Sequence, residues 1–496
     1  MPIILSKTDY ILFRDCPKNV WHKFYNPTIW NESKLSEFEK AIIETGNEVE
    51  LVAHQLFPLG VLIEGRGQES QIKTQDLINK KTKVLFQPVF LKDNFLAAVD
   101  ILELQNDNSY NIYEVKSTTD VDKKTHYHDL AFQVNLLEKC GVKINKAFVI
   151  HLNSEYVRQG EININKLFKI EDVNEQVLNI KEAVAGEMEI ALRYLSTEEE
   201  SIGFCSCVYK GRSNHCATFA HSNPKVPEYG VHDLSRIGNS KAKLQELIDI
   251  GIFELKDVPI DFNLSLPQKN QIEAFVQDRI LQDKYNIKKE LDGFIFPLYF
   301  LDYETFPAAI PRFDGFSPYQ QIPFQYSLFV LDSQNSEPRH FEFLYTNTDD
   351  PTLEFTKSLK NNIGQEGTII VWNKGFECKI NNEIAKRNPG HVLFINSVNA
   401  RVYDLMEIFG KQYYVHKDFK GRISIKSVLP VLVPELSYKK LGIQEGGLAS
   451  QKWNEMNLKS TSTQEKEKII KDLKEYCKLD TFAMYAIWKH LYELVF

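Results

Sequence analysis

The chain of 496 residues has no run of about 18 apolar residues, so no segment reads as a membrane-crossing helix. Its opening, MPIILSKTDY, lacks a basic region followed by a long apolar core, and the sequence reads as cytoplasmic with no membrane partner. Positive charge is in short supply. The 59 Lys and Arg against 67 Asp and Glu leave a formal charge of −8, which argues against a simple basic protein that coats nucleic acid. Seven cysteines in a cytosolic chain are better explained as thiols or ligands than as disulfides. There is no internal repeat and no low-complexity tract. What is present is core-forming material: 43% hydrophobic and 12% aromatic residues, in a chain long enough for two or three domains.

Residues 1–222 form one compositional block. SKTDYILFRDCPKNVWHKFY reads as a helix capped by Ser6, and KVLFQPVFL, FLAAVDILEL and YNIYEVKST follow as strand-like runs. HDLAFQVNLLEKCG then reads as a helix closed by Gly141, and KAFVIHLN as a further strand, an order that predicts an α/β domain with a mixed sheet. Residues 223–290, with HSNPKVPEYG and short Gly-punctuated helices, read as a small helical linker or a plain packing spacer. Residues 291–496 predict a second α/β domain. Its strands are PLYFLDYETF, PFQYSLFVL and GTIIVWN, and its helices are FECKINNEIAKR, NARVYDLMEIFG and a long terminal one.

The chemistry-bearing residues lie at strand ends and on the last helix. In PLYFLDYETF, Asp302 and Glu304 sit two apart and project from one face of a strand, so they can share a divalent cation. In YCKLDT, Tyr476 and Asp480 stand one turn apart on a helix face. Hard oxygen ligands suit Mg²⁺ or Mn²⁺, and a pair of such ions is a common means of cutting phosphodiesters. A depressed net charge is compatible with that chemistry, because bound ions restore positive potential locally. Upstream, the polar turn QNDNS allows the strands around it to pair, bringing Asp100 beside Glu114, with Lys116 on the same face. Two carboxylates and a lysine can hold a metal and stabilise charge on a phosphate, although the same pattern also makes an ordinary surface ion pair.

The first block resembles the RecB-like PD-(D/E)XK restriction-endonuclease-like nucleases, especially their iron–sulfur type. The resemblance rests on LSKTDYILFRDCPKNVW, the Asp100…Glu114-x-Lys116 pattern, AFQVNLLE and the late cysteines. It implies that Asp100 and Glu114 bind metal, that Lys116 is catalytic and that Gln133 contacts the metal or nucleic acid. Glu50 occupies the place where such nucleases often carry a histidine, and His54 lies one turn on. The resemblance further implies a [4Fe–4S] cluster on Cys16, Cys205, Cys207 and Cys216. Their C-x-C-x8-C spacing leaves Zn²⁺ or unligated thiols open. Cys140, Cys378 and Cys477 read as small buried residues.

The last block resembles the RNase H-like DEDD exonucleases. Asp302 and Glu304 match the first motif, Asn373, Phe376 and Glu377 the second, with Glu in place of Asp, and Tyr476 and Asp480 the third. The resemblance implies two metals on Asp302, Glu304, Glu377 and Asp480, and a Tyr476 that orients water. Asp404 is a further candidate or a fold support. The whole arrangement resembles the bacterial proteins grouped under domain of unknown function 2779. The resulting expectation is a metal-dependent DNA nuclease with two sites, 3′–5′ exonucleolytic in its last domain, for DNA processing, repair or defence. The alternatives are an RNA exonuclease and a binding partner of a helicase or nuclease complex with degenerate sites.

Overall fold

The computed structural model describes residues 3–32 and 37–496. The chain divides into two compact units, Met1–Val226 with Ala309–Tyr319, and Pro227–Ala308 with Gln320–Phe496. Both are mixed α/β. Among the described residues no helix is long and apolar enough to cross a membrane.

In the first unit the expected opening helix is broken in two, Lys7–Asp15 and Pro17–Tyr25. Pro17 disfavours helical geometry at the residue before it, and Cys16 is extended, with φ −159°. Ser6 does cap the first helix, accepting from the Asp9 amide in a capping box. The run FLAAVDILEL likewise divides into two strands. Phe95–Ala98 pairs with Leu5–Ser6 and Val89–Lys92, whereas Ile101–Leu104 pairs antiparallel with Tyr110–Lys116. Asp100 stands at the break between them.

A six-stranded sheet carries this unit, in the order Val61–Leu62, Val84–Phe86, Ile101–Leu104, Tyr110–Lys116, Ile144–Leu152 and Phe168–Asp172. Alternation along Tyr110–Lys116 sorts its side chains to two cores. Tyr110 and Ile112 pack with Leu130 and Leu137 of helix His126–Lys139 and with Val177 and Val184 of helix Asn174–Leu195. Tyr113 and Val115 join Val49, Ala53 and Phe86 on the other face. Glu114 therefore follows Ile112 toward the helix layer, where it is 2% exposed.

The second unit is built on a five-stranded sheet in the order Arg339–Leu344, Gln321–Leu331, Leu298–Pro307, Ile369–Val371 and Val402–Asp404. The first three strands are antiparallel and the last two join in parallel. Tyr299, Leu301 and Tyr303 face a core with Phe355, Leu359, Ile380 and Ile384. Phe300 instead packs against Tyr485 and Trp488 of the terminal helix Thr463–Val495, so Asp302 and Glu304 share that helix's side of the sheet. Burying side chains of this size stabilises by about 1.5–3 kcal/mol each.

One expected helix is different in kind. Within NARVYDLMEIFG, Val402–Asp404 forms an edge strand in parallel register with Ile369–Val371, and only Met406–Gly410 is helical. Pairing with a neighbour that sequence periodicity cannot see overrides the local helical pattern. Residues 227–290 contribute helices Lys241–Asp249 and Leu266–Val276 and the short strand Leu281–Gln282, which pairs with Tyr414–Val415 inside the second unit.

Gly367 tests the packing at the sheet's edge. Its φ is +98°, and a Cβ there would fall on the Pro297 carbonyl oxygen. Gly367→Ala is expected to lower unfolding stability by more than about 2 kcal/mol, read from urea midpoints.

Candidate functional site

The strand Leu298–Pro307 runs through the middle of its sheet and changes register with Gln321–Leu331 between Glu304 and Thr305. Pro323, opposite Thr305, cannot donate to the ladder, and the irregularity falls beside the acidic pair. Gln325, partner of Glu304, donates 2.9 Å to the Leu473 carbonyl and so ties the sheet to the terminal helix. On that helix Tyr476, Cys477 and Asp480 fall on the buried face.

Asp302, Glu304 and Asp480 thus crowd together, and their charges compete. Burial pushes the Asp302 carboxyl well above its ordinary range, and Asp480, Glu304 and Glu377 push it further. Burial and then Asp480 do the same to Glu304. Asp480 is also raised by burial, although the Tyr438 and Tyr476 hydroxyls oppose the shift. Tyr438 donates to Asp480 Oδ1. Among the described residues, none of the three carboxylates has a Lys or Arg partner within 4 Å. The nearest help is Lys426, whose charge lowers Glu304 and Asp480 and whose Nζ lies 5.3 Å from the Tyr476 ring centre and donates to the Gln444 carbonyl at 2.8 Å. Such a cluster must either keep protons or take up a cation, and its oxygen donors fit a hard divalent ion.

Glu377 is on the first turn of helix Lys374–Arg387, whose N-cap Asn373 accepts from the Phe376 amide. Burial raises its carboxyl to about 8, and its Oε2 is buried with no hydrogen-bond partner. It is close enough to disturb Asp302, but the carboxylate that acts on it is Asp404. Asp404 accepts from the Lys374 and Met406 amides, both at 3.0 Å, and so joins a strand end to two helix starts. Cys477 is buried as expected, yet its sulfur lies within 4.8 Å of ligand atoms of Asp302 and Glu304. Tyr438, Lys426 and the thiol of Cys477 escaped the sequence reading. Only the turn spacing of Cys477 and Asp480, three apart, pointed to any of them.

In the first unit, hairpin pairing brings Asp100 and Glu114 together: Asp100 Oδ2 accepts from the Val115 amide at 2.8 Å. Here the charge is compensated. Glu114 Oε1 accepts from Lys7 at 2.8 Å and Lys116 at 2.7 Å, while Oε2 accepts from Gln133 at 2.7 Å. Burial would raise Glu114, but Lys116 and Lys7 outweigh it and hold the carboxyl far below its usual value. Lys116 also pairs with Asp129 at 2.7 Å, and Gln133 lies one turn beyond Asp129 on the same helix. Asp100 is raised to about 7, by burial and then by Glu114. Gln87 bridges it to Glu50, and His54 lies 3.4 Å from Glu50 while stacking on Phe86. Lys7 and Asp129 were not singled out from the sequence. The i, i+4 spacing of Asp129 and Gln133 was the available signal.

The four cysteines expected to act together do meet. Cys16, Cys205, Cys207 and Cys216 are buried, none is in a disulfide, and their sulfurs lie within 4.8 Å of one another. Cys205 and Cys216 are 4.0 Å apart, near the about 3.8 Å edge of a tetrahedron with 2.3 Å metal–sulfur bonds. S–H donation from Cys16 favours Cys205 and Cys207 as thiolates, the latter lowered to about 7. Asn223 donates to the Cys205 sulfur at 3.2 Å, and Asn19 accepts from the Thr218 hydroxyl at 3.1 Å, fastening the two segments. Such a donor set can hold a metal. His22, Glu200 and His221 form a further group within 4.8 Å, but Lys18 already sits 3.1 Å from the Glu200 carboxylate.

The fold and sites define a mixed α/β protein of two units, with a buried four-thiol cluster in one and an uncompensated carboxylate cluster in the other. Residues 299–424 match the family described as a domain of unknown function, DUF2779. The matched segment holds Asp302, Glu304 and Glu377 and stops short of Tyr438, Tyr476 and Asp480. An uncharacterized protein of Ureaplasma parvum is 27% identical over 266 residues, covering 50% of this chain and 37% of the relative. Uncharacterized proteins of Mycoplasma pneumoniae and Mycoplasma genitalium are 27% and 26% identical over 205 and 220 residues. The matches span about a third of the length of these curated relatives.

Two outcomes are expected. Glu304→Gln should stabilise the protein in EDTA by about 1 kcal/mol or more, and should lose the rise in melting temperature that Mn²⁺ gives the parent. Cys207→Ser should sharply lower the iron or zinc that copurifies with the chain, measured by elemental analysis against the parent.

Proposed function

We propose that the chain is a divalent-metal-dependent nuclease, with its principal active site at Asp302, Glu304 and Asp480. The observation that carries this reading is the convergence of buried Glu304 and Asp480 with half-buried Asp302, none with a cationic partner among the described residues, beside a tyrosine that keeps its proton. Residues 291–496 are read as an RNase H-like DEDD exonuclease domain, residues 1–222 as a RecB-like PD-(D/E)XK domain, and 223–290 as a helical linker. DNA is the proposed substrate, cut from 3′ to 5′ in the last domain.

Mg²⁺ or Mn²⁺ bound by Asp302, Glu304, Asp480 and, from its helix start, Glu377 would supply an activated nucleophile and neutralise charge building on the phosphate. Burial and then Asp480 and Glu304 raise the Tyr476 phenol, so it stays a donor able to orient water or a phosphate oxygen. Tyr438 fixes Asp480 by its hydrogen bond. Lys426 is placed to balance negative charge as a phosphate enters.

The first-unit site has a second reading. Both oxygens of Glu114 are engaged by Lys7, Lys116 and Gln133, so a metal on Asp100 and Glu114 has to displace an ammonium. This favours a nucleic-acid-binding or degenerate centre there, with cleavage confined to the second unit. For the thiols, the resemblance supports a [4Fe–4S] cluster and the 4.0 Å sulfur separation supports Zn²⁺. Absorption spectra of anaerobically purified protein separate the two.

With end-labelled single and double strands under Mn²⁺, EDTA should abolish cleavage, and Asp302→Ala should slow exonucleolytic products by about a hundredfold or more. Glu114→Ala should alter a different set of products if both sites cut, and none if only the second does. A double variant that cuts like the parent sinks the proposal. Parallel DNA and RNA oligonucleotides decide the polymer.

A further inference from the structure

Within the second unit a cavity of about 690 Å³ opens where helices Lys241–Asp249 and Leu266–Val276 meet the segment Phe409–Ile423. Arg236, Lys243, Arg422 and His416 line it, and no carboxylate does. Among the described residues, Arg236, Lys243 and Arg422 have no ion-pair partner. The acids of the neighbourhood are engaged: Asp278 pairs with Lys417, Glu290 with Lys411 at 2.9 Å, Glu228 with Lys420 at 3.9 Å, and Asp418 with the lining His416 at 3.6 Å. A chain with a charge of −8 thus leaves three cations converging on one hollow. Such an arrangement is suited to an anion.

The backbone that presents these cations is held in place. Arg236 adopts φ 56°, a left-handed conformation that is sterically unfavourable for a non-glycine residue. Two glutamines only 3% and 4% exposed support it: Gln271 accepts from the Ser235 amide and Gln268 donates to the Ser235 carbonyl, each at 2.9 Å. Across the cavity, Gly421 has φ +72°, and a Cβ there would strike the Gln271 amide at 2.6 Å, so the loop bearing Arg422 closes on the same glutamine. The segment then continues toward the carboxylates. Trp372 donates to the Ile423 carbonyl at 3.1 Å, and three residues later Lys426 stands over the Tyr476 ring.

We propose that this cavity is a phosphate subsite that grips one backbone phosphate of the single nucleic-acid strand whose end reaches Asp302, Glu304 and Asp480. The inference rests on the nuclease reading for its substrate, and names where that substrate is held. Arg236 and Arg422 are exposed and Lys243 half-buried, so neutralising them removes charge without opening a core.

The test is binding of a labelled single-stranded oligonucleotide in EDTA, by fluorescence anisotropy, to the parent and to Arg236→Asn/Lys243→Gln/Arg422→Gln. Asparagine is chosen at 236 because it tolerates the left-handed backbone. The triple variant should bind about tenfold more weakly at low salt, with the slope of log affinity against log salt smaller by about 0.7, the change that one single-strand phosphate contact carries. Unchanged affinity and slope overturn the proposal. A second arm uses inorganic phosphate and a nucleoside monophosphate. If these raise the melting temperature of the parent but not of the variant, while the oligonucleotide binds both alike, the site serves a free phosphate ligand and the strand assignment falls. Should the triple variant fold poorly, Arg422→Gln alone should show a smaller shift in the same direction, and no shift overturns the proposal. Because no metal is present, loss of the nuclease reading shows up separately, as absence of product from the parent under Mn²⁺.

Discussion

Three carboxylates held within a shared, weakly hydrated space set the terms for the second unit. Removing an ionised carboxylate from water is costly unless a partner or a proton neutralises it, and among the described residues Asp302, Glu304 and Asp480 have no lysine or arginine in contact. The surrounding structure must therefore hold them against mutual repulsion. It does so with a central strand, a 33-residue terminal helix bound to the sheet through Gln325 and Leu473, and Tyr438 fastened to Asp480. Stability given up at such a place is the usual sign of a site built for a ligand, here a divalent cation under the proposed function.

The first unit solves a similar problem in the opposite way. Asp100, Glu114 and Asp129 are set against Lys7 and Lys116, with Gln133 taking a remaining oxygen of Glu114. Charges that neutralise one another within a fold need no added ion, which is why the two acidic centres are weighted differently as candidates for metal chemistry. The thiol cluster differs from both, being a set of soft sulfur donors able to hold a metal. Cys16 comes from the break between two helices, and the other three from a segment nearly 200 residues on, so a metal held there would close a very long loop, the case in which a cross-link restrains the unfolded chain most.

Charge is sorted as well as balanced. The overall deficit of positive charge hides a local surplus, because Asp278, Glu290 and Glu228 are drawn off by lysines outside the cavity that Arg236, Lys243 and Arg422 line. Net charge argues only against a simple basic protein that coats nucleic acid, whereas the distribution of the same residues leaves three cations at one cavity.

Much of this was legible in the residues themselves. Local patterns carried the Ser6 cap, the helix over His126–Lys139, the acidic strand at Leu298–Pro307 and the period that sets Tyr476 and Asp480 on one face, while the grouping of Cys16 with the late cysteines followed from the family resemblance. These depend on neighbours within a turn or a strand, or on motif order. What depends on partners far along the chain was not legible. Val402–Asp404 became a strand only because Ile369–Val371 lay beside it, and the second ammonium on Glu114, beyond that of Lys116, comes from Lys7, 107 residues away. Sequence by itself determined which residues could bind a metal and the local geometry that presents them. Tertiary structure alone decided which acids lack a counter-charge, because solvation and Coulomb forces follow distance in space rather than separation along the chain.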